Sequence, residues 1–239
     1  MRTAFVVLAL AVVTLVAGLP LLIYAILSGN VKPLYWAGVL STARVLRLAG
    51  LRVRAEGLEN IPPGTCVFAA NHTSNVDPPA IVSAIPRRIA VLAKRSLFAI
   101  PIVGRAFRTA QYVPVDRGNP KRAAASVALA AEYMKKGVSF LIFPEGTRSP
   151  DGRLLPFRRG SFALAIEAGV PVVPVACSGA HRILAKNSFR MRPGEVVVRF
   201  CPAIDSASYS LDERGALAER AHAAVAAALP PDQQPAAAT

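Results

Sequence analysis

The side chains best suited to acid–base chemistry lie in one short polar stretch, which reads Asn-His-Thr-Ser-Asn-Val-Asp from 71 to 77. His72 and Asp77 are too far apart to be neighbours on one helix face, but a turn can bring the carboxylate to the imidazole. A carboxylate that accepts a hydrogen bond from one ring nitrogen fixes the tautomer and leaves the other nitrogen to act as a general base. Alternatively, Asp77 only caps a helix opened by Pro78, and His72 is a surface residue.

A second polar stretch, Phe-Pro-Glu-Gly-Thr-Arg-Ser from 143 to 149, combines groups that suit a phosphate. Gly146 allows close approach of the backbone, and Thr147 offers a hydroxyl. Arg148 supplies a planar fork of donors that matches phosphate oxygens. Without further context the stretch could equally be a polar loop that binds nothing.

Further cations stand near the ends of predicted elements. Arg117 follows a short strand and could be a second phosphate ligand, or it could pair with the adjacent Asp116 on the surface. Arg158 and Arg159 precede a helix and could bind an anion through their charge and the helix dipole, or form a solvated basic face.

Several other chemistries find no support in the sequence. It contains neither G-x-x-x-x-G-K-[ST] nor G-x-G-x-x-G, so no nucleotide cradle is predicted. The three histidines lack metal-ligand spacing, and the three cysteines are too few and too scattered for a zinc site or a disulfide framework. Ser178 lacks the flanking glycines of a nucleophile elbow. Cys66 and Cys177 fall in predicted core strands, where packing is their expected role.

Strand-like and helix-like segments alternate from residue 51 onward. Strands are predicted at 51–56, 65–70, 89–93, 110–115, 139–143, 172–177 and 195–201, and helices at 78–85, 119–136, 161–168 and 210–229. The alternation predicts an α/β domain over 51–229 with a mostly parallel sheet covered on both faces. The polar stretches then lie at the carboxyl edge of that sheet, where such proteins place their sites. A disordered tail is expected over 230–239.

The region before residue 51 is strongly apolar and predicts a membrane anchor over 1–50. No charged residue stands between Arg2 and Lys32, a run long enough to cross a bilayer core. Because Pro20 interrupts the run, two short helices dipping into one leaflet are an alternative, and a cleaved signal peptide is disfavoured by the length. The excess of positive charge after the run predicts that the rest of the chain is cytoplasmic.

The segment 33–49 allows two interpretations. As an interfacial helix it would place Tyr35 and Trp36 in the headgroup layer, with Arg44 and Arg47 on lipid phosphates. As a helix packed on the globular domain it would bury part of that face instead.

The charge balance narrows the class of partner. The chain of 239 residues has a formal net charge of +14 although 53% of its residues are hydrophobic. Most of the positive excess lies between residues 61 and 200, on the predicted domain rather than a tail. That region has no nucleic-acid recognition motif and few aromatics for stacking. A membrane surface or phosphorylated substrates therefore fit better than nucleic acid.

Four stretches in order resemble the motifs of the glycerolipid acyltransferase family, particularly the lysophosphatidate acyltransferases. The first is NHTSNVD, which matches N-H-x4-D at Asn71, His72 and Asp77. The second is VPVDRG, in which Arg117 matches a motif arginine. The others are FPEGTRS, matched in full from 143 to 149, and the V-P-V strand at 173–175. The resemblance spans about residues 50–205.

The resemblance implies a glycerol-3-phosphate acyltransferase-like domain and transfer of a fatty acyl group to the sn-2 hydroxyl of lysophosphatidate, giving phosphatidate. Acyl-CoA or acyl carrier protein is then a co-substrate, and no cofactor or metal is expected. His72 would act as general base, with Asp77 orienting it. The pocket for the acceptor phosphate would comprise Arg117, Glu145, Gly146, Thr147 and Arg148. From their charge, and not from the resemblance, the possible contacts for the donor or another anion are Lys94, Arg95, Arg158 and Arg159.

Other functions remain open at this point. The acceptor could be glycerol 3-phosphate, another lysophospholipid or a lyso-aminolipid. The protein could also be a hydrolase or transacylase that uses no thioester donor, or a membrane-bound protein that binds anionic lipid without catalysis.

Overall fold

The computed structural model describes residues 1–116 and 120–236, and within them an α/β domain follows an apolar helical segment. The strands are β1 (Leu51–Glu56), β2 (Val67–Ala70), β3 (Ile89–Lys94), β4 (Val113–Val115), β5 (Ser139–Ile142), β6 (Val172–Ser178) and β7 (Gly194–Phe200). The helices are α1 (Arg2–Val13), α2 (Leu19–Ser28), α3 (Lys32–Leu48), α4 (Asp77–Ala84), α5 (Val103–Thr109), α6 (Pro120–Lys135), α7 (Ala163–Ala168), α8 (Ala180–Ile183) and α9 (Arg214–Ala228).

The described strands form one sheet in the order β1-β7-β6-β2-β5-β3-β4. All neighbouring pairs are parallel except β6 and β7, which are antiparallel. The five strands from β6 to β4 therefore share one carboxyl edge, while β1 and β7 run the opposite way. The prediction of a mostly parallel α/β sheet is confirmed.

Helices cover both faces of the sheet, which explains the uninterrupted apolar strands in the sequence. Phe68 and Leu141 point into a core shared with α3 and α4. Their strand neighbours Val67 and Phe140 point into a second core, shared with α6, α7 and α9. Because the central strands are buried on both sides, polar side chains reach the surface only where the strands end.

The apolar N-terminal segment is one continuous helical run from Arg2 to Ser28, not two separate helices. A π-helical turn over Thr14–Gly18 joins α1 to α2, and the amide of Leu19 bonds to the carbonyl of Thr14. This widened turn accommodates Pro20, which has no amide hydrogen and would crowd a regular helix. By length and composition the run could cross a membrane, and only 11% of its most apolar stretch is buried.

Both ends of this helical run contact the folded domain. At its start, the Thr3 hydroxyl donates to the carbonyl of Phe189, in the loop between α8 and β7. Near its end, Leu22 lies in a small apolar cluster with Ile102, beside α5. The run therefore lies along the domain rather than extending away from it.

Helix α3 packs on the domain, in agreement with the second of its two interpretations. Tyr35 is 5% exposed, and its hydroxyl accepts a hydrogen bond from the Ile89 amide at 3.2 Å. The expected place of Tyr35 in a headgroup layer is therefore wrong, because its ring belongs to the core under the sheet. Arg44 and Arg47 are exposed.

The expectation of disorder from residue 230 is also wrong for the described part of the tail. Pro231–Gln233 forms a 3₁₀ turn, and Gln233 is 1% exposed. The Gln233 carbonyl accepts from the Leu154 amide at 2.9 Å, and its side chain accepts from the Gly179 amide at 3.0 Å. A polar, proline-rich composition suggested disorder, but this glutamine satisfies backbone groups that the domain would otherwise leave unpaired.

Candidate active site

The two polar stretches meet at the carboxyl edge of the sheet. The 71–77 loop follows β2 and leads into α4, and the 143–149 segment follows β5. Strands β2 and β5 are parallel neighbours with Ala69 opposite Ile142, so both chains leave the sheet at the same level. Adjacent parallel strands thus bring together residues far apart in sequence.

The structure places the Nδ1 atom of His72 2.9 Å from Oδ2 of Asp77. Asp77 is fully buried, and the same oxygen accepts hydrogen bonds from the amides of Thr73 at 2.6 Å and Ser74 at 2.7 Å. The carboxylate makes no side-chain capping bond at the start of α4. Its hydrogen bonds go back to the loop instead, which holds it beside the imidazole.

This pairing orients the imidazole for proton transfer. A proton on Nδ1 is the assignment that matches a carboxylate partner, and it leaves Nε2 as an acceptor. The His72 side chain is 11% exposed, whereas that of Asp77 is inaccessible. A reacting group can therefore reach the histidine but not the carboxylate.

The 143–149 segment fixes His72 from the other side. The Phe143 ring lies against the imidazole with centroids 4.2 Å apart. The His72 amide donates to Oε1 of Glu145 at 2.9 Å, and the His72 carbonyl accepts from the Ser149 amide at 2.8 Å. These contacts join the two sequence motifs into one rigid unit.

Asn71 ties the loop to the neighbouring strand β6. Its side-chain oxygen accepts from the Cys177 amide at 2.7 Å, and its side-chain nitrogen donates to the Cys177 carbonyl at 2.9 Å. The Cys177 thiol also lies 3.5 Å from Oδ1 of Asp77. Burial, together with the nearby carboxylate, raises the pKa of Cys177, so the thiol is a neutral neighbour of the pair.

Glu145 is a buried carboxyl group with an unusual environment. The residue is 3% exposed, and burial raises its pKa from 4.5 to about 8 against the opposing effect of the His72 amide. The negative charge of Asp77 also contributes to the rise. Among the described residues, Oε2 of Glu145 has no hydrogen-bond partner, although the backbone of Leu155 also opposes the rise in pKa. Near neutral pH this group is mostly uncharged.

Cationic side chains surround the 143–149 segment. Gly146 has a φ of +74°, and a Cβ atom placed there would lie 2.7 Å from Nε of Arg158. Arg158 is thus packed against the segment, although the sequence suggested only a possible donor contact. Arg148 is half-buried and Thr147 is exposed. The Lys186 ammonium donates to the Arg148 carbonyl at 2.7 Å.

The remaining residues predicted to contact the substrates are Lys94, Arg95, Arg159 and Arg117. Lys94 ends β3 at the same carboxyl edge, and Arg95 follows it in a 3₁₀ turn. Both are exposed, as is Arg159 at the start of another 3₁₀ turn. Arg117 lies outside the described residues.

Sequence reasoning missed several supporting residues of the site. Asn71 and Phe143 lie within the motifs, so their positions were flagged although their contacts were not. Lys186 lies 38 positions from Arg148, and no local pattern singles it out. Over the described residues, no group of three or more His, Cys, Asp or Glu side chains is placed to hold a metal ion.

The comparisons with known proteins agree, since each finds similarity to acyltransferases. Residues 52–178 match the Acyltransferase family model. A 1-acyl-sn-glycerol-3-phosphate acyltransferase of Limnanthes douglasii is 31% identical over 192 residues, covering 80% of this chain and 68% of that protein. The corresponding protein of Pseudomonas aeruginosa is 37% identical over 158 residues, covering 66% of this chain and 61% of that protein.

A solved structure is similar along nearly its whole length. It is the 1-acyl-sn-glycerophosphate (LPA) acyltransferase, PlsC, from Thermotoga maritima, with 28% identity and a TM-score of 0.70. The match covers 92% of this chain and 95% of the other.

Proposed function

This chain belongs to the acyltransferase family, and from that premise we propose that it acylates the sn-2 hydroxyl of 1-acyl-sn-glycerol 3-phosphate, producing phosphatidate for phospholipid synthesis. The acyl donor is a thioester, either acyl-CoA or acyl carrier protein. The observation that carries the proposal is the 2.9 Å pairing of His72 with a buried Asp77 beside a cluster of cations. The names of the related proteins support the acceptor.

His72 acts as the general base. Its Nε2 takes the proton of the acceptor hydroxyl while that oxygen attacks the thioester carbonyl. Asp77 stabilises the resulting imidazolium. When the tetrahedral intermediate collapses, the carbon–sulfur bond breaks and the leaving thiolate takes the proton back from His72. A thioester is already activated, so this direct transfer requires no covalent enzyme intermediate.

The acceptor phosphate binds to the cations at the carboxyl edge. Arg148 and Arg117 are the proposed ligands, and Gly146 and Thr147 shape the pocket. Because Arg158 packs against Gly146, its guanidinium belongs with this group. Glu145 holds the backbone of His72 rather than reacting, which keeps the base at a fixed distance from the bound phosphate.

The thioester donor approaches from the same edge. Lys94, Arg95 and Arg159 are exposed cations there or beside it, and they are the proposed contacts for the donor's phosphate groups. Positioning donor and acceptor together supplies much of the rate enhancement in such a transfer.

The enzyme works at a membrane, with its domain on the cytoplasmic side. The exposed apolar helical run from Arg2 to Ser28 supports membrane association. The positive charge that follows it supports the orientation, because the cytoplasmic leaflet carries the anionic lipids. Acyl chains of both substrates could then remain in lipid while their head groups reach the site.

The test follows thiol release by purified protein in detergent from palmitoyl-CoA or oleoyl-CoA, with lysophosphatidate or glycerol 3-phosphate. We expect release that requires lysophosphatidate and falls by about 10²–10⁴-fold in His72→Ala. His222→Ala, which changes a histidine of α9 outside both loops, is the matched control and should retain activity.

Other results would redirect the proposal. Release without any acceptor would identify a thioesterase and refute the transfer. Release only with glycerol 3-phosphate would reassign the acceptor. If neither CoA thioester reacts, acyl carrier protein donors are the next substrates to test.

A further inference from the structure

The loop between α8 and β7, residues 184–193, connects the active site to the start of the apolar helix. On the site side, the Ser74 hydroxyl donates to the Leu184 carbonyl at 2.7 Å, and Lys186 donates to the 143–149 segment. On the other side, the Met191 amide donates to the Thr3 hydroxyl at 3.0 Å. The loop therefore bridges the two parts of the molecule that must meet lipid.

Phe189 stands fully in solvent at the turn of this loop. It is 88% exposed, more than any other large hydrophobic residue in the described part of the domain after residue 50. Two hydrogen bonds hold the backbone around it. The Thr3 hydroxyl donates to the Phe189 carbonyl, and the Arg192 amide donates to the Ile183 carbonyl at 2.8 Å. Met191 is 8% exposed and packs in the core. The phenyl ring is thus presented by an ordered loop.

The cations around Phe189 are not compensated by acidic groups. Arg190 and Arg192 flank it, and Arg2 begins the helix that the loop contacts. All three are exposed, and within residues 1–116 and 120–236 none of them takes part in an ion pair. The sequence has no Asp or Glu between Glu167 and Glu195.

We propose that residues 186–192, together with Arg2, form a binding site for anionic lipid head groups, which we term the interfacial loop. The Phe189 ring inserts at the boundary between head groups and acyl chains, and the three arginines bind lipid phosphates. An aromatic ring among cations suits a bilayer surface, where apolar and anionic layers are stacked. Continuity with the apolar helix through Thr3 favours lipid over an acidic protein as the occupant.

The inference rests on the proposed membrane location but not on the proposed acyl transfer. It goes further by assigning a second lipid contact, on the domain itself and adjacent to the site. Two contacts fix how the domain faces the bilayer, whereas the helix alone would leave rotation about its own axis free.

The test uses tryptophan fluorescence of the full chain in vesicles whose acyl chains carry bromine, a short-range quencher. The only tryptophan, Trp36, is replaced by Trp36→Phe, and Phe189→Trp is the reporter. Leu211→Trp in the same background is the control, because Leu211 is also exposed, at 44%, but lies in the loop before α9. No turnover is needed, so failure here is distinguishable from failure of the proposed enzymatic activity.

In brominated phosphatidylglycerol we expect the Phe189→Trp emission to fall by about half or more, since the interfacial loop would sit at the depth of the upper acyl chains. The Leu211→Trp emission should stay nearly constant. Quenching should be weaker in brominated phosphatidylcholine, and Arg190→Gln with Arg192→Gln should abolish the difference between the two lipids.

Equal quenching of both reporters would overturn the proposal. Equal quenching of Phe189→Trp in the two lipids would overturn the assignment of the arginines to anionic head groups. An emission change that depends on protein concentration in lipid-free detergent would identify a second copy of the chain as the occupant, which would also overturn it.

Discussion

Replacing Glu145 by glutamine should stabilise the protein at neutral pH and leave it unchanged in acid. Glutamine can still accept the hydrogen bond from the His72 amide, which Oε1 of Glu145 accepts at 2.9 Å. It cannot ionise. Oε2 makes no hydrogen bond among the described residues, so replacing this oxygen by an amide nitrogen breaks no hydrogen bond of the protonated acid.

The magnitude follows from the raised pKa. Burial raises the pKa of Glu145 from 4.5 to about 8, so the folded state favours the protonated form and the unfolded state ionises first. Below pH 4.5 the wild type and Glu145→Gln should have the same free energy of unfolding. Above it, that of the wild type falls by about 1.4 kcal/mol for each pH unit up to about 8. At pH 7 the accumulated loss is about 3 kcal/mol.

The assay is thermal unfolding in detergent from pH 4.5 to 8.5, followed by Trp36 fluorescence. A change of 3 kcal/mol corresponds to roughly 6–12 °C in a protein of this size. We expect Glu145→Gln to match the wild type at pH 4.5 and to exceed it by that margin at pH 7. Glu219→Gln, at an exposed carboxylate of α9, should show no such divergence.

Parallel curves for Glu145→Gln and the wild type across the whole range would refute the reasoning. That result would mean that Glu145 is ionised in the folded protein and that a positive charge compensates it. A loss of stability at every pH would instead show that the carboxyl geometry, rather than its charge, matters.

Three further predictions concern the same site. Gly146→Ala should raise KM for lysophosphatidate by about tenfold with a smaller effect on kcat, because the new Cβ displaces the guanidinium of Arg158. Steady-state kinetics with excess thioester measure both constants. Asn71→Ala should destabilise the protein by about 2–4 kcal/mol, since both backbone groups of buried Cys177 lose their partner, and the unfolding midpoint at fixed pH measures it. Asp77→Asn should lower kcat by about 10²–10⁴-fold through loss of the correct tautomer, and an unchanged kcat would remove the carboxylate from the mechanism.

The local elements could be predicted from the sequence because short-range rules govern them. The apolar runs at 139–143 and 172–177 predicted strands that the structure places at Ser139–Ile142 and Val172–Ser178. Burial on both sheet faces makes such runs nearly free of polar residues. The alternation of elements was likewise sufficient to predict the fold class.

The joining of distant segments could not be predicted in this way. The hydrogen bonds of Asn71 to Cys177 span 106 residues, and nothing near Asn71 identifies its partner. Tyr35 has the amphipathic character of an interfacial residue, yet the core accepts its ring because its hydroxyl finds a backbone amide. Gln233 was assigned to a disordered tail by composition, which cannot anticipate unpaired backbone groups elsewhere.

The placement of the apolar helical run has a consequence for how the protein responds to its membrane. A run with both ends attached to one domain, through Thr3 and Leu22, cannot set those ends on opposite sides of a bilayer while these contacts persist. In that arrangement a membrane would take up the run in one leaflet, and the length of the run would not have to match the thickness of the hydrocarbon layer, as that of a spanning helix must. The same enzyme should therefore work equally well in thin and thick bilayers, and its activity would respond to surface charge rather than to chain length of the surrounding lipid.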